Sequence, residues 1–217
     1  VGGTGYEAVS TDRFRRDIGV LAQSYDIVDF PDILTREAVS DPRFAIALTF
    51  DDGYADFHRN VVPILQEFDA PATVFVVTGT LQDRTNSHDG GCHRYLNRNE
   101  LLALTDEPLV TIGNHTRTHP RLADFDDLGR IRTEILGAKH DLEELGIAVD
   151  RFCYPYGSVD SRSHEIVRRT HDCAVTVRDG LIPRAPRRHR LPRVNGAHRE
   201  FPLSSRLLLH LAMEIVG

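Results

Sequence analysis

The sequence predicts an α/β protein built on a mostly parallel sheet, either open or closed into a barrel. Three observations carry this. Short apolar runs, Phe44–Phe50 and Ala72–Thr78 first among them, are bounded by charged and turn residues and read as strands buried on both faces. Between such runs, apolar residues recur at helical spacing, as at Phe57, Val61, Leu65 and Phe68. The alternation of the two patterns is that of βαβ units, whose crossovers make neighbouring strands parallel.

In chain order, Phe14, Ile18, Leu21 and Ala22 predict a first helix behind the capping residues Ser10-Thr11-Asp12. A short apolar stretch, Tyr25–Phe30, precedes the strand Phe44–Phe50. The helix at 57–68 and the strand at 72–78 follow, and then Asp83–Arg98, rich in Asn, Gly, His and Asp, reads as a long surface loop. Leu109–Gly113 is the next strand. Leu128, Ile131, Ile135, Leu142 and Leu145 mark the longest helix, with Gly146 suited to end it. Phe152–Tyr154 and Cys173–Val177 are strands flanking a helix near Ser161–Thr170. Ile182–Arg193 is a basic stretch, read as a solvated loop or as a surface for an anion. Leu203–Val216, with Leu207, Leu208, Leu211 and Ile215 on one face, reads as a closing helix.

Composition bounds the rest. The 217 residues are 41% hydrophobic and 27% charged, the balance of a globular chain, and no linker or repeat divides them, so 1–217 reads as one domain. A net charge of −6 argues against nucleic acid as a partner, and no apolar run approaches the ~20 residues of a membrane span. Three cysteines, Cys92, Cys153 and Cys173, are too few for a disulfide framework and form no thiolate zinc site. The chain starts at Val1 with no signal pattern, which slightly favours a cytoplasmic over a secreted setting. Oligomeric state is not legible.

Three motifs carry chemistry, each where an apolar strand ends. Parallel α/β sheets build their ligand sites at that end. The first is Thr49-Phe50-Asp51-Asp52-Gly53, whose adjacent carboxylates resist joint ionisation unless a cation is near. By itself it is also ordinary turn chemistry. The second, His115-Thr-Arg-Thr-His119, spaces two imidazoles four apart, so that on one helical turn they share a face and a metal. Histidine plus carboxylate suits zinc or a related divalent ion. The third, Phe152-Cys-Tyr-Pro-Tyr-Gly157, offers Tyr154, Pro155 and Tyr156 as a wall for a sugar; the alternative is a tight turn packed on the core.

Taken together, TFDDG at 49–53, HTxxH at 115–119 and YPYG at 154–157 resemble the polysaccharide deacetylase family, carbohydrate esterase family 4 with its NodB-homology domain. The resemblance implies a distorted (β/α) barrel and a metal-dependent hydrolase. Its substrate would be an acetylated amino sugar or polysaccharide, and one divalent ion, zinc first, its cofactor. It makes Asp52, His115 and His119 the metal ligands and Asp51 the general base. The backbone N–H of Tyr156 becomes a donor to the oxyanion.

The chain departs from the family pattern twice. Cys153 stands where the family often has an arginine that orients the catalytic aspartate, and a later general-acid histidine has no clean counterpart. His210 is set aside because it lies on the expected closing helix. Arg193, in Leu-Pro-Arg-Val-Asn-Gly196, is the candidate to replace the missing arginine beside Asp51. Two rival readings stand: a carbohydrate-binding pseudoenzyme that keeps the metal site, and another metallohydrolase such as a phosphoesterase, supported by the basic stretch alone.

Overall fold

The computed structural model describes residues 9–35, 44–81, 94–183, 185–196 and, by their backbone, 209–212. Its strands are β1 (Tyr25–Ile27), β2 (Phe44–Phe50), β3 (Ala72–Val76), β4 (Val110–Asn114), β5 (Arg151–Cys153), β6 (Cys173–Asp179), β7 (Leu191–Asn195) and β8 (Leu209–Ala212). The helices are α1 (Thr11–Ser24), α2 (Val62–Glu67), α3 (Arg98–Leu104), α4 (Leu128–Glu143) and α5 (Ser161–Thr170). Each strand from β2 to β8 pairs in parallel with the next, and β8 returns to pair with β2, so seven strands close into a ring. β1 adds to the first three residues of β2. The barrel is distorted: β4 and β5 share the single pair Asn114↔Phe152, and the β6–β7 register shifts between Val175 and Asp179.

The period of two along each strand divides the apolar runs between two faces. Ile46, Leu48 and Phe50 of β2 and Val74 and Val76 of β3 face outward, in the cluster that holds Phe14, Ile18 and Leu21 of α1, Leu65 of α2 and Leu101 of α3. Ala45 and Ala47, Phe75, Cys153, Cys173, Val175 and Leu191 meet in a second cluster that fills the barrel. Gly113 makes room for Phe75 there, since a Cβ at 113 would stand 2.4 Å from the ring. On the far side Ile131 and Ile135 of α4 and Val167 of α5 pack on Phe152, Tyr154 and Ala174. The end where strands begin is closed by Arg151, whose guanidinium bonds both oxygens of Asp29 at 2.6 and 2.9 Å and the Thr73 hydroxyl at 3.0 Å.

Three expectations change. The segment read as a closing helix supplies β8, because the open edges of β2 and β7 take a strand there and a run buried in a parallel sheet need show no strict alternation. The rest of 203–216 lies outside the described residues, as does Cys92. Residues 83–93 of the expected surface loop also lie outside, but its end is interior: Tyr95 and Leu96 are buried, and Asn97 caps α3 in a capping box with Glu100. The helix at 57–68 begins with a π-helical turn, Phe57–Val61, in which Val62 N–H reaches Phe57 O; Pro63, with no N–H to give, then opens α2.

Candidate metal centre

The site lies where the strands end, and strand parity selects its members. Thr49 faces the barrel, so Asp51, two residues on, does as well. Asp52 would point away, but its backbone turns into the left-handed region (φ 69°) and brings the carboxylate back. Gly53 continues that turn at φ 71°, where a Cβ would stand 2.8 Å from Val76. Four of the five non-glycine residues with positive φ among those described, Asp52, Thr116, His119 and Tyr156, are at this site. Such strain persists only where surrounding contacts over-determine it.

Asp52, 6% exposed, has its Oδ1 3.4 Å from His115 Nε2 and 3.2 Å from His119 Nε2. The three donor atoms lie within 4.8 Å of one another. His115 Nδ1–H donates to the Cys153 carbonyl at 2.8 Å, which leaves Nε2 as the ring nitrogen that faces Asp52. Two imidazole nitrogens and a carboxylate are a donor set that fits a divalent ion such as zinc. The two histidines do not share a helical turn as expected: 115–119 is a loop, with Thr116 and His119 at φ 70° and 57°. That loop is tied to α4. Glu134 accepts the Arg117 and Thr118 amides at 3.1 and 2.9 Å, and Asp141 accepts Arg117 Nε at 2.8 Å and the Thr78 hydroxyl at 2.7 Å.

Asp51 is held differently. Arg193 Nη1 donates to its Oδ1 at 2.7 Å and Nη2 to its Oδ2 at 2.6 Å. The guanidinium is itself fixed, with Nε on the Thr176 carbonyl at 2.9 Å and Nη1 on the Thr49 hydroxyl at 3.2 Å, and Arg193 is 3% exposed. The Cys153 thiol donates to Asp51 Oδ1 at 3.4 Å and accepts from Arg193 Nη2 at 3.4 Å. Burial pushes the Asp51 carboxyl up, but the Arg193 charge and bonds outweigh it and hold the group well below the usual carboxylate range. A second donor set, Asp51, His115 and Cys153, also converges. It is the poorer one: both Asp51 oxygens are engaged by Arg193, His115 Nδ1 is committed to a carbonyl, and burial pushes the Cys153 thiol pKa up.

The third motif divides. Tyr154 and Pro155 were expected to line a sugar groove, but Tyr154 is fully buried against Phe152 on the outer, helix-covered face, and Pro155 is buried as well. Parity is the reason: Cys153 faces the barrel, so its neighbour cannot. Tyr156 is 43% exposed at φ 56°, its ring 4.6 Å from the His119 ring with the Arg121 guanidinium 4.3 Å from its centroid. Its backbone N–H has no hydrogen-bond partner among the described residues. Arg121, Glu134 and the Cys153 thiol were not singled out as site residues from the sequence. Parity would have found Cys153; Arg121 and Glu134 carry no local signal.

Among solved structures, 31 chains match. A deacetylase PplD from Streptococcus pyogenes, in complex with acetate, is 23% identical over 86% of this chain and 80% of its own, with a TM-score of 0.73. BC0361, a polysaccharide deacetylase from Bacillus cereus, is 22% identical over 89% of this chain and 60% of its own, with a TM-score of 0.71. The BpsB deacetylase domain from Bordetella bronchiseptica is 18% identical over 99% and 89%, with a TM-score of 0.68. At these identities the likeness is one of fold. No curated protein matches. A family model described as Polysaccharide deacetylase matches residues 38–171, which include all three motifs.

Proposed function

The chain belongs to the polysaccharide deacetylase family, and from that premise we propose that it is a metal-dependent hydrolase removing an acetyl or similar small acyl group from an amino sugar of a glycan. The bond cleaved is a C–N bond other than a peptide bond. Asp52, His115 and His119 are the ligands of one divalent ion, zinc being the first candidate. The observation that carries this reading is the unlike treatment of two adjacent aspartates: Asp52 converges with two imidazoles, while Asp51 has both oxygens held by Arg193. Neighbouring acids in such different surroundings are suited to different tasks.

A divalent cation at this position supplies Lewis acidity toward the acyl carbonyl and toward water. Asp51 is ionised across the physiological range and fixed in one orientation, so it serves as the acceptor for the proton of the attacking water. Arg193 acts through it, as a positioning residue. The Tyr156 N–H is available to the carbonyl oxygen as negative charge builds there. The Tyr156 ring, between His119 and Arg121, forms the rim that a sugar meets.

A phosphoryl substrate would call for cations facing the site. Within the basic stretch, the described arginine that reaches the centre is Arg193, and it is engaged on Asp51. This favours the acyl substrate. The test is acetate release from an N-acetylglucosamine oligomer by zinc-loaded protein, with metal content measured alongside. Zinc at one per chain with acetate release supports the reading. Zinc without acetate release counts against the hydrolase reading, and a protein that takes no divalent metal overturns the metal assignment.

A further inference from the structure

Behind the metal ligands, buried side chains run from the start of β6 to the backbone of His119. His171, 4% exposed, places Nδ1 3.0 Å from the Thr170 hydroxyl. That hydroxyl spends its own hydrogen on the Ile166 carbonyl at 2.8 Å, so it accepts and His171 Nδ1 carries the proton. His171 Nε2 is then bare, and it lies 3.1 Å from the Asn114 amide nitrogen. The second amide hydrogen of Asn114 goes to the Ile135 carbonyl at 2.9 Å. Its carbonyl oxygen accepts the Thr116 N–H at 2.8 Å, and Thr116 Oγ1 accepts the His119 N–H at 3.1 Å. Donors and acceptors close in only one arrangement, and Asn114 and Thr116 are both fully buried.

We infer that His171 is a positioning residue for the metal centre, fixing Asn114 as a neutral imidazole and, through Asn114 and Thr116, holding His119 against Asp52. The inference rests on the reading of Asp52, His115 and His119 as ligands. Thr116 and His119 both occupy the left-handed region, which non-glycine residues leave when nothing holds them. Two of the hydrogen bonds on this loop's backbone belong to the chain just traced. An imidazolium at 171 would turn an N–H toward the N–H of Asn114, two donors face to face. The surroundings prevent it: burial, Lys139 of α4 and His189 before β7 push the His171 pKa down to about 3, while the Phe152 ring of β5 lies tilted against it, 5.2 Å between centroids.

Zinc affinity of the full chain, measured by chelator competition near neutral pH, tests this in His171→Leu and His171→Gln. Outer partners of metal ligands are typically worth ~10–100-fold in affinity. The Leu variant should lose that much, whereas Gln, whose oxygen can accept from Asn114, should stay within a few-fold of wild type. The visible spectrum of the cobalt-loaded protein should move in the Leu variant and not in the Gln variant. In wild type, long-range 1H–15N correlation should show His171 as the neutral Nδ1–H tautomer even below the ordinary histidine range. Wild-type affinity in the Leu variant, equal loss in both variants, or the Nε2–H tautomer in wild type each overturns the inference. If the Leu variant does not fold, Thr116→Ala against Thr116→Ser interrupts the same chain at its other end and is judged by the same affinities. A wild type that takes no zinc overturns the metal reading along with this one, an outcome distinct from zinc bound equally by wild type and the Leu variant.

Discussion

Arg193 of β7 and Asp51 after β2 meet fork to fork, with N–O distances of 2.7 and 2.6 Å, across the mouth of the barrel. Arg193 is buried and Asp51 half-buried, so the pair is costly to break: removing the carboxylate leaves the guanidinium charge alone, a loss that in fully buried pairs typically costs ~3–5 kcal/mol. A planar guanidinium makes two parallel bonds where an ammonium makes a point contact.

Arg193→Lys is therefore expected to keep the charge but not the clasp. Its kcat should fall by roughly 10–100-fold, the usual cost of losing a group that orients a site residue, with zinc content unchanged. Steady-state kinetics on an acetylated oligomer, paired with metal analysis, checks this. Unaltered kcat would show that Asp51 needs no fork.

Asp51→Asn should retain zinc and lose ~10²–10⁴-fold in activity, the typical worth of a general base. Asp52→Asn, His115→Ala and His119→Ala should lose stoichiometric zinc and activity together while unfolding cooperatively. Equal metal loss in the Asp51 and Asp52 variants would make both aspartates ligands and remove Asp51 as the base.

His171 links stability to pH. Its folded pKa, about 3, lies below the ~6.5 of an unfolded histidine, so below pH ~6.5 the unfolded chain takes up a proton that the folded protein refuses. The stability it permits is complete above that pH. It is lost as pH falls toward about 3, by up to ~1.4 kcal/mol per unit. Urea unfolding of wild type and His171→Gln at about pH 7 and about pH 5 isolates the effect, since the other titrating groups cancel in the difference. Wild type should lose more than the variant on acidification; parallel losses would count against a neutral buried His171.

Gly113→Ala should destabilise by ~1–3 kcal/mol, the usual cost of overpacking a core. The new methyl would stand 2.4 Å from Phe75 Cδ1, and that ring is enclosed by the barrel. Adding Phe75→Leu should recover part of the loss. Denaturant midpoints that show no recovery would place the strain in the backbone of β4 instead.

By itself the sequence determined the parallel α/β class and the strand ends that carry Asp51–Asp52, His115–His119 and the Tyr-Pro-Tyr-Gly turn, because short apolar runs and turn residues are local signals. Even the choice of Arg193 was open to it, since the family resemblance leaves Asp51 without its usual arginine and Cys153 cannot supply fork-shaped donors in its place. Tertiary structure alone decided the rest. Whether Leu209–Ala212 became helix or strand depended on the waiting edges of β2 and β7, which no local pattern encodes. Tyr154 went to the helix-covered face because Cys153 faced the barrel, and which of a strand's two alternating faces meets the helices is settled only by packing. His119 reached Asp52 from a left-handed loop rather than a helical turn because Asn114, Thr116 and Glu134 hold that loop from three sides. Glu134 comes from α4, and Asn114 is itself held by the Ile135 carbonyl and His171, so the hold on the loop depends on elements that only the packed fold brings within hydrogen-bonding distance.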